Sequence, residues 1–131
     1  MSDQENTQVV QGLYDSFNAR DIAAVLGALS DDVEWVLPSI PNLPFTGAKH
    51  GKDSVAEFFS TMAEHQELQS FEVQGMIAQG DQVVGYGHYL WHVKTTGRAW
   101  EGDFSHHWTV EGGKITRLQE YTDSAAAMAA F

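Results

Sequence analysis

Apolar positions along the chain follow two rhythms, and the change from one to the other divides it. Val10, Leu13, Tyr14 and Phe17 recur at helical spacing, and Ser2 followed three residues later by Glu5 is a capping box that satisfies the first free amides. Asn18-Ala19-Arg20-Asp21 interrupts that helix. Asp21 is placed to cap a second, shorter one whose Ile22, Val25, Leu26 and Leu29 face inward. Ser30-Asp31-Asp32 ends it, and Val33 to Leu37 predicts a short strand stopped by Pro38, which cannot donate to a ladder. Pro38, Pro41, Pro44, Gly47 and Gly51 then predict an ordered loop, a kind of segment that often rims binding sites. Ser54 and Glu57 repeat the capping spacing ahead of Val55, Phe58, Phe59 and Met62. A third helix is expected there, with a bulky apolar stripe that needs a sheet to cover it.

From Leu68 onward the period shortens to two. Leu68 to Ala78, Gln82 to Lys94, Ala99 to Val110 and Lys114 to Asp123 read as four strands. Gly80-Asp81, Thr95-Thr96-Gly97 and Gly112-Gly113 separate them, so an antiparallel meander follows. Residues 125–130 are alanine-rich and predict a closing helix, with Asp123 as its cap. The layout is α+β: a single domain over residues 1–131, with three N-terminal helices on one face of a curved, mainly antiparallel sheet.

The last hairpin carries the chemistry. If Gly112, Gly113 and Lys114 form a three-residue loop with a bulge, Glu111 faces Ile115 and His106 lies opposite Glu120. A cross-strand pair places its β-carbons about 4.5–5.5 Å apart, close enough for imidazole and carboxylate to share a proton. Alternation puts Phe104, Trp108, Leu118 and Thr122 on the same inner face, joined by Tyr89, Trp91 and Val93. Trp35 and Leu37 are placed at the mouth. His88, His92, His107, Tyr86 and Leu90 fall on the outer face. Histidines four apart on a strand are about 13 Å from each other along it, too far for one ion, so no metal is expected. His50, on the loop, is a candidate for the rim.

Composition narrows the partners. Seven basic against eighteen acidic residues give a net charge of −11, which repels nucleic acid and anionic lipid. The absence of cysteine removes thiolate catalysis and disulfides. No apolar run approaches the ~18–20 residues of a membrane span, and the N-terminus lacks the basic and apolar regions of a signal peptide. A cytoplasmic protein is expected, with no cofactor and no membrane or nucleic-acid partner.

Phe17-Asn18-Ala19-Arg20-Asp21, Leu29-Ser30-Asp31-Asp32, Leu43-Pro44-Phe45-Thr46-Gly47 and the stretch from His106 to Asp123 resemble the SnoaL-like branch of the nuclear-transport-factor-2-like superfamily. That branch includes polyketide cyclases and relatives of ketosteroid isomerase, and the resemblance implies a cone-shaped α+β domain that dimerises. The ketosteroid isomerase pattern does not carry over. Leu37 stands at the position of its carboxylate base, Leu13 at that of its oxyanion-hole tyrosine, and His106 at that of its protonated aspartate. The cyclase pattern places an active-site histidine at His106 and an acid/base aspartate at Glu120.

Together these readings make His106 and Glu120 the candidate catalytic pair. The candidate ligand-binding residues are Leu13, Trp35, Leu37, Phe58, Tyr89, Trp91, Phe104, Trp108 and Leu118. Two classes of function stay open. One is a cofactor-free isomerase, cyclase or dehydratase acting on a small hydrophobic carbonyl compound. The other is a module that only binds such a molecule, or only dimerises.

Overall fold

Helix α1 (Asp3–Asn18) begins on the expected capping box. In the computed structural model, which describes residues 2–131, Ser2 Oγ accepts from the Glu5 amide and Glu5 Oε1 from the Ser2 amide, each at 3.1 Å. Val10, Leu13 and Tyr14 are buried along one stripe, with Phe17 partly covered at its end. Arg20 takes a positive φ of 61° and turns the chain. Asp21 then caps α2 (Ile22–Gly27), its carboxylate accepting from the Ala24 amide at 3.1 Å.

Three local expectations are corrected between residues 29 and 57. Leu29 does not close the second helix: it opens strand β1 (Leu29–Val36), four residues before Val33. Its partner is β6 (Lys114–Thr122), which runs parallel to it with Leu29 level with Ile115 and an irregularity before Glu34. The exposed Asp31 and Asp32 fall in that irregular stretch, which is why the alternation is broken there. The expected loop contains strand β2 (Ala48–His50), antiparallel to β1. Helix α3 (Lys52–His65) starts at Gly51 with no side-chain cap, so Ser54 and Glu57 lie inside it. The positive φ of Gly51, 84°, lets the chain donate its amide to Val33 and turn at once from the sheet edge into the helix.

Strands β3 (Gln66–Gln79), β4 (Gln82–Val93) and β5 (Ala99–Glu111) complete a six-stranded sheet in the order β2-β1-β6-β5-β4-β3. Every neighbouring pair is antiparallel except β1 with β6. Two irregularities in β3, after Leu68 and after Val73, break the ladder, a disruption that bends a strand and increases its twist. Helix α1 packs on β3 and β4, α3 on β1 and β2, and α4 (Ser124–Ala130) on β5. Asp123 caps α4, accepting from the Ala126 amide at 2.9 Å. Alternate residues of β4 and β5 are buried, so the inner sheet face and the helices close on one aromatic core.

Candidate active site

His106 and Glu120 are level on neighbouring strands, as expected, but the chain reaches this register by another route. Gly112 and Gly113, with φ of 57° and 80°, form a two-residue turn in which Glu111 pairs with Lys114. That turn alone would leave His106 one residue out of step. Thr116 bulges between the Val110–Ile115 and Thr109–Arg117 pairs and restores the offset. The two devices exchange places along the strand and give the same net shift.

Across this pair, His106 Nε2 and Glu120 Oε2 are 2.8 Å apart, with side chains only 8% and 13% exposed. The other ring nitrogen, Nδ1, lies 2.8 Å from the hydroxyl of Tyr14, on α1. Trp108, two residues along β5, donates its indole N–H to the same hydroxyl at 3.0 Å. Phe104 stacks on one side of the imidazole, ring centroids 4.4 Å apart, and Tyr14 stacks at 5.8 Å. Ring position and both nitrogens are thus fixed before any ligand arrives.

The chain of bonds runs in one direction. Indole N–H is only a donor, so Tyr14 accepts from Trp108 and keeps one hydrogen to give. With Glu120 ionised, Nε2 carries the ring proton and donates to it, and Nδ1 accepts from Tyr14. If the imidazole were cationic, or if Glu120 carried the proton, Nδ1–H would donate to Tyr14 and the hydroxyl hydrogen would be left without a partner. Only the first assignment uses every hydrogen of the Trp108–Tyr14–His106–Glu120 chain. Burial pushes the Tyr14 phenol far above its ordinary value against the bond from Trp108, and the charge of Glu120 adds to the push.

Gly85, the β4 residue paired with His106, makes room for this arrangement. A β-carbon there would stand 2.3 Å from the Tyr14 hydroxyl oxygen. Tyr89 is satisfied separately, its hydroxyl donating to Thr122 Oγ1 at 2.7 Å while Thr122 donates to the Asp103 carbonyl at 3.1 Å. Its phenol is also pushed far up, first by burial and then by the nearby Glu120 charge.

Tyr14, His106, Trp108 and Glu120 line a cavity of about 80 Å³ whose remaining wall is almost wholly apolar. Of the expected ligand-binding residues, Leu13, Trp35, Leu37, Phe58, Tyr89, Trp91, Trp108 and Leu118 line it. Phe104 does not. Its ring is 2% exposed and is covered by Phe71, stacked 5.0 Å away at 9°. Sequence reasoning missed Tyr14 as a polar member of the site and took its neighbour Leu13 for the matching position. The available signal was chemical, because a tyrosine on the buried stripe of a helix must find a partner for its hydroxyl. It also missed Gln66, buried at the start of β3, which accepts from the Trp100 indole at 3.3 Å and lines the cavity.

The outer face holds His88 between Asp103 Oδ1 at 2.9 Å and Glu101 Oε2 at 3.3 Å. The bond to Asp103, then that to Glu101, raises the imidazole above its ordinary value. His50, on β2 rather than on a loop, pairs with Glu34 at 2.6 Å and stands away from the cavity lining. Among the described residues no group of three His, Asp or Glu side chains is placed to hold a metal ion, and no helix is long and apolar enough to cross a membrane.

Comparison with known proteins places this geometry. No curated protein matches the chain. An NTF2-like protein from Burkholderia xenovorans is 31% identical, with 99% of this chain and 98% of that one covered and a TM-score of 0.88. An NTF2-like protein of unknown function from Burkholderia pseudomallei is 29% identical over 99% and 98%, with a TM-score of 0.87. TerC, co-crystallised with polyporic acid, is 29% identical over 96% and 97%, with a TM-score of 0.81. The model of the SnoaL-like domain matches residues 10–118, which run from the helix bearing Tyr14 to the strand bearing Glu120. The chain belongs to the SnoaL-like domain family, on the NTF2-like fold.

Proposed function

We propose that the protein is an acid/base enzyme that moves a proton on a small, flat, apolar carbonyl compound, with Glu120 as the group that touches the substrate. The observation that carries this reading is a carboxylate held at the end of a directional hydrogen-bond chain and opening on an apolar cavity. His106 engages one carboxylate oxygen and has both of its own nitrogens occupied, so it acts through Glu120 by holding and polarising it. Glu120 takes a proton from the carbon beside the carbonyl, leaving an enolate. It then returns the proton to a different carbon, which is isomerisation, or to a departing hydroxyl, which is dehydration. Either sequence leaves Glu120 ready for another turn without a cofactor.

The same cavity serves a second reading, binding without turnover. About 80 Å³ is roughly half of the ~150 Å³ that accommodates benzene in an engineered apolar cavity, so a ring-sized ligand enters only when the wall moves. Leu37, Ile40, Leu43 and Phe45 bring one side of that wall from the segment between β1 and β2. A module that binds without turnover would use the same opening, and the small-molecule ligand of TerC supports binding as much as chemistry. Dimerisation through the outer sheet face is part of the proposal, supported by Tyr86, Tyr121 and Ile77, which are 41%, 54% and 66% exposed there.

Proton exchange at the α-carbon of 2-tetralone in deuterated water separates the two readings. The wild-type protein should accelerate it, and Glu120→Gln should abolish the acceleration while affinity stays within a few-fold. Equal exchange in that variant removes Glu120 from the chemistry, and no acceleration by the wild type favours the binding module.

A further inference from the structure

Among the described residues four buried side-chain polar atoms lack a hydrogen-bond partner, and two of them are the indole N–H groups of Trp35 and Trp91. Both residues line the cavity and are 4% and 5% exposed. The contrast within the same wall is informative. Trp100 and Trp108 also line the cavity, and the protein supplies each with an acceptor, Gln66 Oε1 and the Tyr14 hydroxyl. A buried donor without an acceptor is costly, and phenylalanine would fill much of the same space without one.

Along the sheet, the two indoles sit on opposite sides of the His106–Glu120 pair. Trp35 is level with Leu118, which is level with Trp108, so it stands two residues along the sheet from the His106–Glu120 pair. Its ring is 5.8 Å from that of Trp108, which is 5.6 Å from that of His106. Trp91 is level with Trp100, six residues along β5 from His106 in the other direction. The chemistry between them lacks one part. Proton abstraction by Glu120 builds negative charge on the carbonyl oxygen, and both nitrogens of His106 are already taken.

We infer that Trp35 and Trp91 are ligand-directed donors: Trp35 receives the carbonyl oxygen on which the enolate charge develops, and Trp91 holds a second acceptor at the far end. The Trp35 role rests on the acid/base reading above, whereas binding of acceptors by the two indoles does not. The ligand therefore carries at least two acceptor atoms on a flat apolar frame.

The matched pair 1,4-naphthoquinone and naphthalene tests the binding directly. The quinone has no enolisable carbon, so turnover plays no part, and the chain has no cysteine for it to alkylate. Four tryptophans give four indole N–H signals in a ¹⁵N–¹H spectrum, and those of Trp100 and Trp108 serve as internal controls. The quinone should bind about tenfold more tightly than naphthalene, and only it should move the Trp35 and Trp91 signals downfield. Trp35→Phe and Trp91→Phe should each cut the preference about threefold. Benzothienylalanine at either position, which keeps the bicycle and replaces N–H by sulfur, should do the same without disturbing packing. Equal affinities, unmoved signals, or a preference that survives these substitutions overturns the inference. With 2-tetralone, whose single carbonyl engages only Trp35, Trp35→Phe should lower kcat, and an unchanged kcat removes Trp35 from the reaction. Loss of all Glu120-dependent exchange with the quinone preference intact would sink the acid/base reading and leave the acceptor site standing.

Discussion

Tyr14→Phe removes one oxygen atom from the centre of the site, and its cost follows from the bonds that atom makes. The hydroxyl accepts from the Trp108 indole at 3.0 Å and bonds His106 Nδ1 at 2.8 Å, with Trp108 only 1% exposed. Without it the indole N–H is a buried donor with no acceptor, a penalty of about 1–3 kcal/mol, and the bond to the imidazole adds about 0.5–1.5 kcal/mol. The sum is about 1.5–4.5 kcal/mol out of a total stability of order 5–15 kcal/mol. For a chain of 131 residues that corresponds to a fall in Tm of about 5–16 °C. Denaturant unfolding and calorimetry measure it, with Tyr121→Phe as the control. The Tyr121 ring is 54% exposed, and its variant should stay within about 0.5 kcal/mol of wild type. If Tyr14→Phe is also within about 0.5 kcal/mol, the hydroxyl does not bridge Trp108 and His106, and the directional chain fails with it.

Two further outcomes follow from the same contacts. Gly85→Ala places a β-carbon 2.3 Å from the Tyr14 hydroxyl oxygen and 2.9 Å from a ring carbon, and should cost about 1–3 kcal/mol or more. It should cost less in a Tyr14→Phe background, where the nearest atom is gone, so additive losses across the double-mutant cycle would contradict the geometry. Tyr14 and Tyr89, 2% and 4% exposed, stay protonated in the folded protein far above the ordinary phenol value. Their contribution is therefore complete below about pH 10, where the unfolded chain keeps its phenol protons, and is lost as pH rises above it. Each should take away about 1.4 kcal/mol per pH unit, read from denaturant midpoints between pH 9 and 11, and a flat profile over that range would refute their burial.

Much of this arrangement could be read from the chain before any coordinates. Period-two alternation from Leu68 to Asp123 has one buried face, so Tyr89, Trp91, Trp108 and Leu118 could be assigned inward without knowing the sheet order. The His106–Glu120 register does not depend on the turn type, because a bulge at Thr116 supplies the offset that a three-residue loop would give. What could not be read depends on contacts distant in sequence. Leu29 joins a strand only because Ile115 arrives beside it, and Ala48 to His50 do so only because β1 presents an edge. Tyr14 looked like one more apolar position of a helix. Its polar role needs His106, 92 residues away, and the space left by Gly85. The failure at Phe104 is of another kind: alternation gives the face a residue takes, and Phe71 then decides whether that ring reaches the cavity.

The directional proton chain is tested most directly by the ¹⁵N signals of the His106 imidazole, assigned by their loss in His106→Asn. The hydrogen count from Trp108 to Glu120 predicts a single neutral tautomer with the proton on Nε2 and none on Nδ1, giving way to a mixture in Tyr14→Phe. A proton resting on Nδ1, or rapid averaging of both tautomers in the wild-type protein, would contradict the account.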